Sequence, residues 1–146
     1  MGYVKANLMG DEEITYQTKL HWIIFLWPLF WLVSVIIMCM DKEFIGFASI
    51  LFFVFLYSVI RNIVLYVTSE FAVTNKRVIM KTGFIRRSSL EILISKVESI
   101  GVDQGILGRI LGFGTINVIG SGGSKNPFKK ICEPLKLRNQ VNEQII

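Results

Sequence analysis

Histidine and cysteine are scarce in this chain, and their scarcity removes several classes of function. The 146 residues include one histidine, His21, and two cysteines, Cys39 and Cys132. The cysteines show no CxxC or Cys/His spacing of the kind that binds metal, and they offer no disulfide framework. No carboxylate is placed near His21 by any recognisable catalytic motif. We therefore expect no catalytic residue, no metal and no cofactor, and we do not expect an enzyme.

The sequence also lacks a phosphate-binding loop. Glycine clusters occur at 105–114 and 122–124, but neither fits the GxxxxGK[ST] frame or follows a parallel-strand pattern. The net charge of +5 could suit nucleic acid. The distribution of that charge fits membrane topology better, so we expect neither nucleic acid nor a small-molecule substrate.

Charge is missing altogether from two long stretches. Residues 22–40 and 44–60 carry no charged side chain, and the short segment 41–43 separates them. As α-helices the two stretches would each be roughly 25–30 Å long, close to the thickness of the bilayer hydrocarbon core. A helix also satisfies its own backbone hydrogen bonds in lipid. The pattern predicts a transmembrane helical hairpin, with helices at about 22–40 and 44–65.

Two other interpretations of these stretches fit less well. A buried helical pair in a soluble domain usually shows a polar stripe, and neither stretch has one. A cleaved signal peptide would have a shorter apolar region, a basic start and a small-residue cleavage site. Here the preceding segment is acidic at residues 11–13, and no such cleavage site follows.

Positive charge is concentrated after the second apolar stretch. Residues 61–146 contain 13 Lys/Arg and six acidic residues, a net +7, whereas residues 1–21 carry a net −1. Positive charge near membrane spans favours the cytoplasmic side, so both termini should be cytoplasmic. Arg61 stands alone, which favours a snorkelling anchor over an ion pathway. The predicted membrane-interface anchors are His21, Trp22, Arg61 and Tyr66.

The chain beyond residue 66 consists of short β-rich segments. Residues 70–74 and 77–82 flank Asn75 and Lys76, and asparagine tolerates the positive φ of a tight hairpin turn. An apolar, glycine-bounded segment at 105–112 suits one or two helical turns. It would pack internally, or contact the membrane surface or another subunit. Further strands are expected at 84–94, 95–102, 114–120 and 128–132, and an amphipathic helix from Pro134, with Leu137, Val141 and Ile145 on one face.

The predicted organisation has three parts. Residues 1–21 form an N-terminal cytoplasmic segment, residues 22–66 the membrane hairpin, and residues 67–146 a cytoplasmic domain. A basic face is the best candidate site in that domain, since each Lys or Arg near an anionic leaflet contributes about 1 kcal/mol. The same residues could serve topology alone, and Arg77 could be structural. The candidate residues are Lys76, Arg77, Lys81, Arg86, Arg87, Lys125, Lys129 and Lys130.

Several of these elements together resemble a known family. Acidic residues 12–13 precede a strand that leads to His21 and Trp22 and the two apolar stretches. The later matching segments are FAVTNKRV at 71–78, GFIR at 83–86, QGILGRILGFGT at 104–115, GSGGS at 120–124, and Pro134 with Leu135. In this order the chain resembles the bacterial pleckstrin-homology (PH) domain proteins with a membrane hairpin, the YdbS-like proteins.

The resemblance implies a mostly-β, α+β fold next to the membrane hairpin. This PH-like fold is a bent antiparallel barrel of six or seven strands capped by a C-terminal helix. Six strands follow from the pattern, and the seventh is either segment 13–20 or a division of 84–94. The resemblance also implies a multi-pass protein of the bacterial inner membrane, in contact with lipids. It would act as a protein-interaction scaffold with further copies of itself or related PH proteins, or alternatively bind anionic lipid headgroups through its basic face.

Overall fold

The computed structural model describes residues 3–83, 88–121 and 125–145 of the chain. The chain divides into two compact units. The helical unit comprises Trp22–Val67, and the sheet unit comprises Met1–His21 together with Thr68–Ile146. Residues 1–21, which the sequence suggests as a separate segment, therefore fold with residues 68–146.

The helical unit contains two apolar helices. A 3-10 turn at Trp22–Phe25 leads into α2, Leu26–Cys39, and α3 runs over Ile45–Thr68. The turn between the helices follows from local chemistry, because the Asp41 carboxylate accepts the Glu43 N–H at 3.2 Å. By length and composition, Trp22–Cys39 and Lys42–Thr68 could each cross a membrane, with mean hydropathies of 2.4 and 2.2. Their apolar side chains are mostly exposed, since only 17% and 6% of these windows are buried.

Within the described residues, the sheet unit holds seven strands in two antiparallel sheets. The strands are β1 Ile14–Thr18, β2 Glu70–Thr74, β3 Arg77–Thr82, β4 Ser88–Leu93, β5 Val97–Asp103, β6 Phe113–Gly120 and β7 Lys125–Cys132. The first sheet has the order β1-β2-β3-β4, and the second has the order β5-β6-β7. The helices of this unit are α1 Tyr3–Ala6, α4 Ile106–Leu111 and α5 Pro134–Ile145.

The strand that the sequence leaves unplaced is β1. It pairs with β2 in an antiparallel register that sets Thr18 opposite Phe71 and Gln17 opposite Ala72. These strands are direct neighbours in the sheet although the whole helical unit lies between them in sequence. The chain thus leaves the sheet unit after β1 and returns at β2 from the same end of the sheet.

The predicted hairpin of β2 and β3 is confirmed, but not the reason given for its turn. Among the described non-glycine residues, only Lys130 and Glu133 have positive φ, so Asn75 does not. The Thr74 hydroxyl instead accepts the Arg77 N–H at 3.0 Å, which closes the turn. Asn75 contacts the N-terminal segment: its Nδ2 donates to Asp11 O, and its Oδ1 accepts the Glu13 N–H, both at 3.2 Å.

The sheets do not close into the expected barrel. One side is joined by the bridge Leu20↔Ile131, supported by the His21 N–H bonded to Lys130 O at 2.7 Å. On the other side, β4 pairs with β3 and β5 pairs with β6, and no pairing joins β4 to β5 within the described residues. A 3-10 turn at Ile94–Lys96 stands between these two strands and turns the chain away from a shared ladder.

The first sheet is covered on both of its faces. Phe71 packs edge-on against Phe128 of the second sheet, with ring centroids 5.9 Å apart, on one face. On the other face Ala72 and Ile79 form a buried cluster with Val4 of α1. Burial on both faces explains why β2 and β3 are apolar without strict alternation. Helix α5 buries Leu137 and Val141 as the sequence predicts, but Ile145, the third residue of the predicted apolar face, is 47% exposed at the end of the helix.

Candidate functional site

The described members of the predicted basic set lie on two different sheets. Lys76 directly precedes β3 and Lys81 lies near the other end of that strand, about 17 Å away at the usual rise per residue of a strand. Lys129 and Lys130 are exposed on β7, in the other sheet. Arg86 and Arg87, and the side chain of Lys125, lie outside the described residues.

Arg77 points inward and is only 8% exposed. Its Nε and Nη2 each donate to the Glu12 carboxylate at 2.9 Å. Nη1 donates to Glu91 at 2.6 Å, and Nη2 also donates to the carbonyl of Asn7 at 2.6 Å. Four of the five guanidinium N–H groups are therefore occupied within the domain. Arg77 ties the N-terminal segment to β3 and β4, which is a structural role.

Glu12 is the counterpart of Arg77 and is itself buried. Its Oε1 accepts the Thr74 hydroxyl at 2.7 Å, and its Oε2 accepts the Met9 N–H at 3.0 Å. Burial opposes ionisation, but the hydrogen bonds from Arg77, Met9 and Thr74 outweigh it and hold the pKa of Glu12 at about 2. The same pairing raises the pKa of Arg77. The buried pair thus stays ionised at neutral pH.

Lys81 lies at the end of the first sheet where the chain returns from the helical unit. Its register partner is Glu70, the first residue of β2. The ammonium group is 3.9 Å from the ring centroid of Tyr3, a cation–π contact. The Glu70 carboxylate accepts the Val4 N–H at 3.0 Å. These two contacts, from neighbouring residues of β2 and β3, hold helix α1 at this end of the sheet.

Lys129 and Lys130 lie beside the last residues that precede the helical unit. The backbone of residues 19–21 runs along the end of β7, where Cys132 N–H bonds to Lys19 O at 3.0 Å. Lys130 has a φ of 59°, which is uncommon for a residue with a side chain, and the β6–β7 register shifts nearby. This irregular section of β7 leaves both lysine side chains exposed.

The four predicted anchor residues have different surroundings. His21 is buried at 5% exposure, and its ring centroid is 5.3 Å from that of Phe113. Trp22 and Arg61 are exposed, and the ring of Tyr66 lies 5.7 Å from that of Phe25 within the helical unit.

The cavities of the described part of the sheet unit include two open ones of similar size. One, of about 560 Å³, includes Gln104, Arg109, Glu133 and Leu135 in its lining. The other, of about 570 Å³, lies between the β2–β3 turn and the end of α5. The described part of the chain contains no group of three or more His, Cys, Asp or Glu residues able to hold a metal ion.

Sequence reasoning missed the role of Glu12. The signal available was an acidic pair ahead of a weak strand and an arginine at the exit of a hairpin. Nothing in the local pattern relates residues 65 positions apart, so the partnership becomes visible only once β1 is placed beside β2.

Comparison with known families agrees with this architecture. The chain matches the bacterial PH domain family over residues 22–145. That match covers most of its length, and the protein belongs to this family. PH domains are generally non-catalytic binding or interaction modules, and no enzyme family is indicated. No curated protein and no solved structure matches the chain.

Proposed function

We propose that this protein is a non-enzymatic PH module which two transmembrane helices hold at the cytoplasmic face of the bacterial inner membrane, where it acts as a protein-interaction scaffold. The observation that carries the anchoring is the exposure of α2 and α3. Large apolar side chains such as Phe30, Ile37, Phe53 and Ile60 are each more than half exposed. In water this surface would be costly, whereas in lipid it is the ordinary state of a spanning helix.

The position of β1 argues against a cleaved signal sequence. Cleavage after the first apolar helix would remove β1, which forms a ladder with β2. It would also remove Glu12 and leave Arg77 buried without its main anion. The first apolar helix is therefore best explained as a permanent part of the protein.

The strand pairing also supports an even number of spans. Since Thr18 and Phe71 are opposite one another, the two chain ends that lead to the helical unit leave the same end of one sheet. Two crossings return the chain to the side from which it started. The net +7 after residue 60 supports the cytoplasm as that side.

The scaffold role is supported by the open edges of the two sheets. Within the described residues, β4 has only β3 as its neighbour and β5 has only β6. Such edges carry backbone groups that can pair with a strand from another chain. Leu93, at the end of β4, is 47% exposed. A second copy of this chain or a related PH protein would fit such an edge.

Anchoring and orientation are tested first. We expect the full chain to stay in the membrane pellet after carbonate washing; release into the supernatant would overturn the proposal.

In a Cys132→Ser variant, an impermeant maleimide should label Cys39 from outside the inner membrane. In a Cys39→Ser, Cys132→Ser, Ser95→Cys variant, labelling should require lysis. The reverse pattern would refute the cytoplasmic orientation.

Assembly is tested with the full chain in mild detergent. We expect a protein mass above that of the 16.7 kDa chain, from self-assembly or a co-purifying PH protein. Leu93→Asp should reduce that mass, because a charge on an edge strand blocks pairing. Leu135→Asp is the matched control, since Leu135 is similarly exposed on α5. A wild-type monomer without a partner would contradict the scaffold role.

Binding of anionic headgroups is the second candidate function. It is favoured by the exposure of Lys129 and Lys130 beside residues 19–21, directly before the first apolar helix. In bilayer nanodiscs, amide hydrogen exchange of β7 should be slower with anionic than with zwitterionic lipid. The difference should disappear in a Lys129→Glu, Lys130→Glu variant. Equal exchange in both lipids would eliminate this alternative.

A further inference from the structure

Helix α4 has its apolar face on the outside. Ile106, Leu107 and Ile110 lie on one side of the helix and are 82%, 66% and 74% exposed. The residue that faces the domain is Gly108, which is buried. A surface helix of a soluble domain normally shows the opposite arrangement, with its large apolar residues inward. Three exposed aliphatic side chains on a helix of six residues therefore indicate that this face contacts either lipid or another protein surface.

The close packing of α4 against the start of β6 keeps these side chains on the outside. A Cβ atom at Gly108 would lie 2.5 Å from Phe113 O, so the helix backbone packs directly on the start of β6. Gln104 Nε2 donates to the same carbonyl at 3.1 Å. Gly112 ends the helix with a φ of 80°, and its carbonyl accepts the Glu133 N–H at 2.9 Å. With contacts this close, α4 has no room to rotate its aliphatic face inward.

The chain directly after α4 contacts the last residue of the sheet unit. Phe113 comes two residues after the end of α4, and its ring centroid is 5.3 Å from that of His21. His21 is the last residue of the sheet unit before Trp22. Under the proposed anchoring, a lipid surface that receives the chain directly after His21 would lie close to α4.

The composition of α4 suits a lipid surface better than a protein partner. Arg109, the one charged residue of this helix, is exposed, and the acidic Glu133 lines the same cavity as Arg109. The helix is short, with aliphatic tips and no aromatic anchor, whereas protein interfaces are enriched in aromatic residues. Aliphatic tips next to a cation are the composition of segments that enter the boundary between headgroups and acyl chains of an anionic leaflet.

We propose that α4 inserts into the cytoplasmic leaflet of the membrane that the helical unit spans. Ile106, Leu107 and Ile110 enter the boundary between headgroups and acyl chains, and Arg109 pairs with lipid phosphate. Together with the two chain junctions, this contact gives the sheet unit a third point of attachment and fixes its orientation on the bilayer. The inference rests on the proposed membrane anchoring and adds a lipid-contacting site to it.

The test uses the full chain with Cys39→Ser and Cys132→Ser, reconstituted in liposomes that contain phosphatidylglycerol. Single cysteines replace Leu107, Ser95 or Val54, and each carries an environment-sensitive NBD dye. Ser95 is an exposed position in the turn between β4 and β5, and Val54 lies in the middle of α3. We expect blue-shifted emission and quenching by doxyl-labelled lipid at positions 107 and 54, and neither at position 95.

The possible outcomes distinguish a failure of α4 insertion from a failure of the proposed membrane anchoring. A quenched dye at position 54 with a dye in water at position 107 would overturn the insertion of α4 and leave the anchoring intact. A dye in water at position 54 would overturn the anchoring. A dye at position 107 that is shielded but not quenched by lipid, and that responds to the protein-to-lipid ratio, would identify a second copy as the occupant and refute insertion.

Discussion

Arg77 in β3 holds the carboxylate of Glu12 with two hydrogen bonds of 2.9 Å, across 65 positions of sequence. Both side chains are buried. Glu12 precedes the two apolar helices and Arg77 follows them. One ion pair therefore fastens the segment before the helical unit to the first hairpin after it.

Loss of Glu12 should destabilise the domain strongly. Glu12→Ala leaves the Arg77 guanidinium buried without its main anion, and breaking a buried pair in this way costs about 3–5 kcal/mol. Glu13→Ala is the matched control, because Glu13 is the exposed neighbour and surface changes stay within about 0.5 kcal/mol. Denaturant unfolding of both variants in mild detergent measures the difference. Similar unfolding free energies for the two variants would contradict a stabilising role of the pair.

The same pair predicts a dependence of stability on pH. The pKa of Glu12 is about 2 in the folded chain and 4.5 ordinarily. A lowered pKa stabilises the folded state above the ordinary value, and the stabilisation is lost as pH falls from about 4.5 towards 2. The contribution is on the order of 3 kcal/mol. Thermal midpoints of the full chain in detergent should fall through this window, and a Glu12→Gln variant should show a flatter profile. Parallel profiles would rule out Glu12 as the titrating group.

Gly108 should tolerate no side chain without a shift of α4. A Cβ atom there would approach Phe113 O to 2.5 Å, and overpacking of this kind costs about 1–3 kcal/mol. Gly105→Ala is the control, since a Cβ atom at Gly105 meets nothing within 4 Å and its φ of −68° suits any residue. Unfolding free energies in detergent should separate the two variants, and equal values would show that α4 moves freely.

The sheet unit should fold without the helical unit but not without β1. A chain that joins residues 1–21 to 68–146 through a short flexible linker retains the ladder of β1 with β2 and the Glu12–Arg77 pair. Residues 67–146 alone lack both. We expect a cooperative unfolding transition for the joined chain, and aggregation or non-cooperative unfolding for residues 67–146. Equal stability of the two would show that β1 is dispensable.

The local sequence pattern was sufficient to predict those helices and strands whose signals lie within a few neighbouring residues. The absence of charge predicts the two apolar helices, and the spacing of Leu137 and Val141 predicts the buried face of α5. The strands of the β2–β3 hairpin were predicted correctly because their boundaries fall at Asn75 and Lys76. The order of these elements was enough to indicate the family.

The features that were missed depend on contacts between distant parts of the chain. Segment 13–20 alternates only weakly, and its place as β1 is decided by Phe71 and Ala72, which lie beyond the helical unit. The strand expected at 95–102 begins only at Val97, after the turn at Ile94–Lys96, and its pairing with β6 shifts register between Val97 and Ser99. In the described part of the chain, the sheets stay unpaired between β4 and β5 because of the turn at Ile94–Lys96, whose local sequence predicts a continued strand.

The interrupted order of the sheet has a consequence for biosynthesis. β1 leaves the ribosome before both apolar helices, and its ladder partner β2 leaves after them. If translocation machinery threads only one helix across the bilayer, β1 and β2 are stranded in different compartments and the sheet cannot form. Under the proposed anchoring, the finished fold is therefore incompatible with a single crossing, and a copy with only one crossing would be left as an incomplete domain.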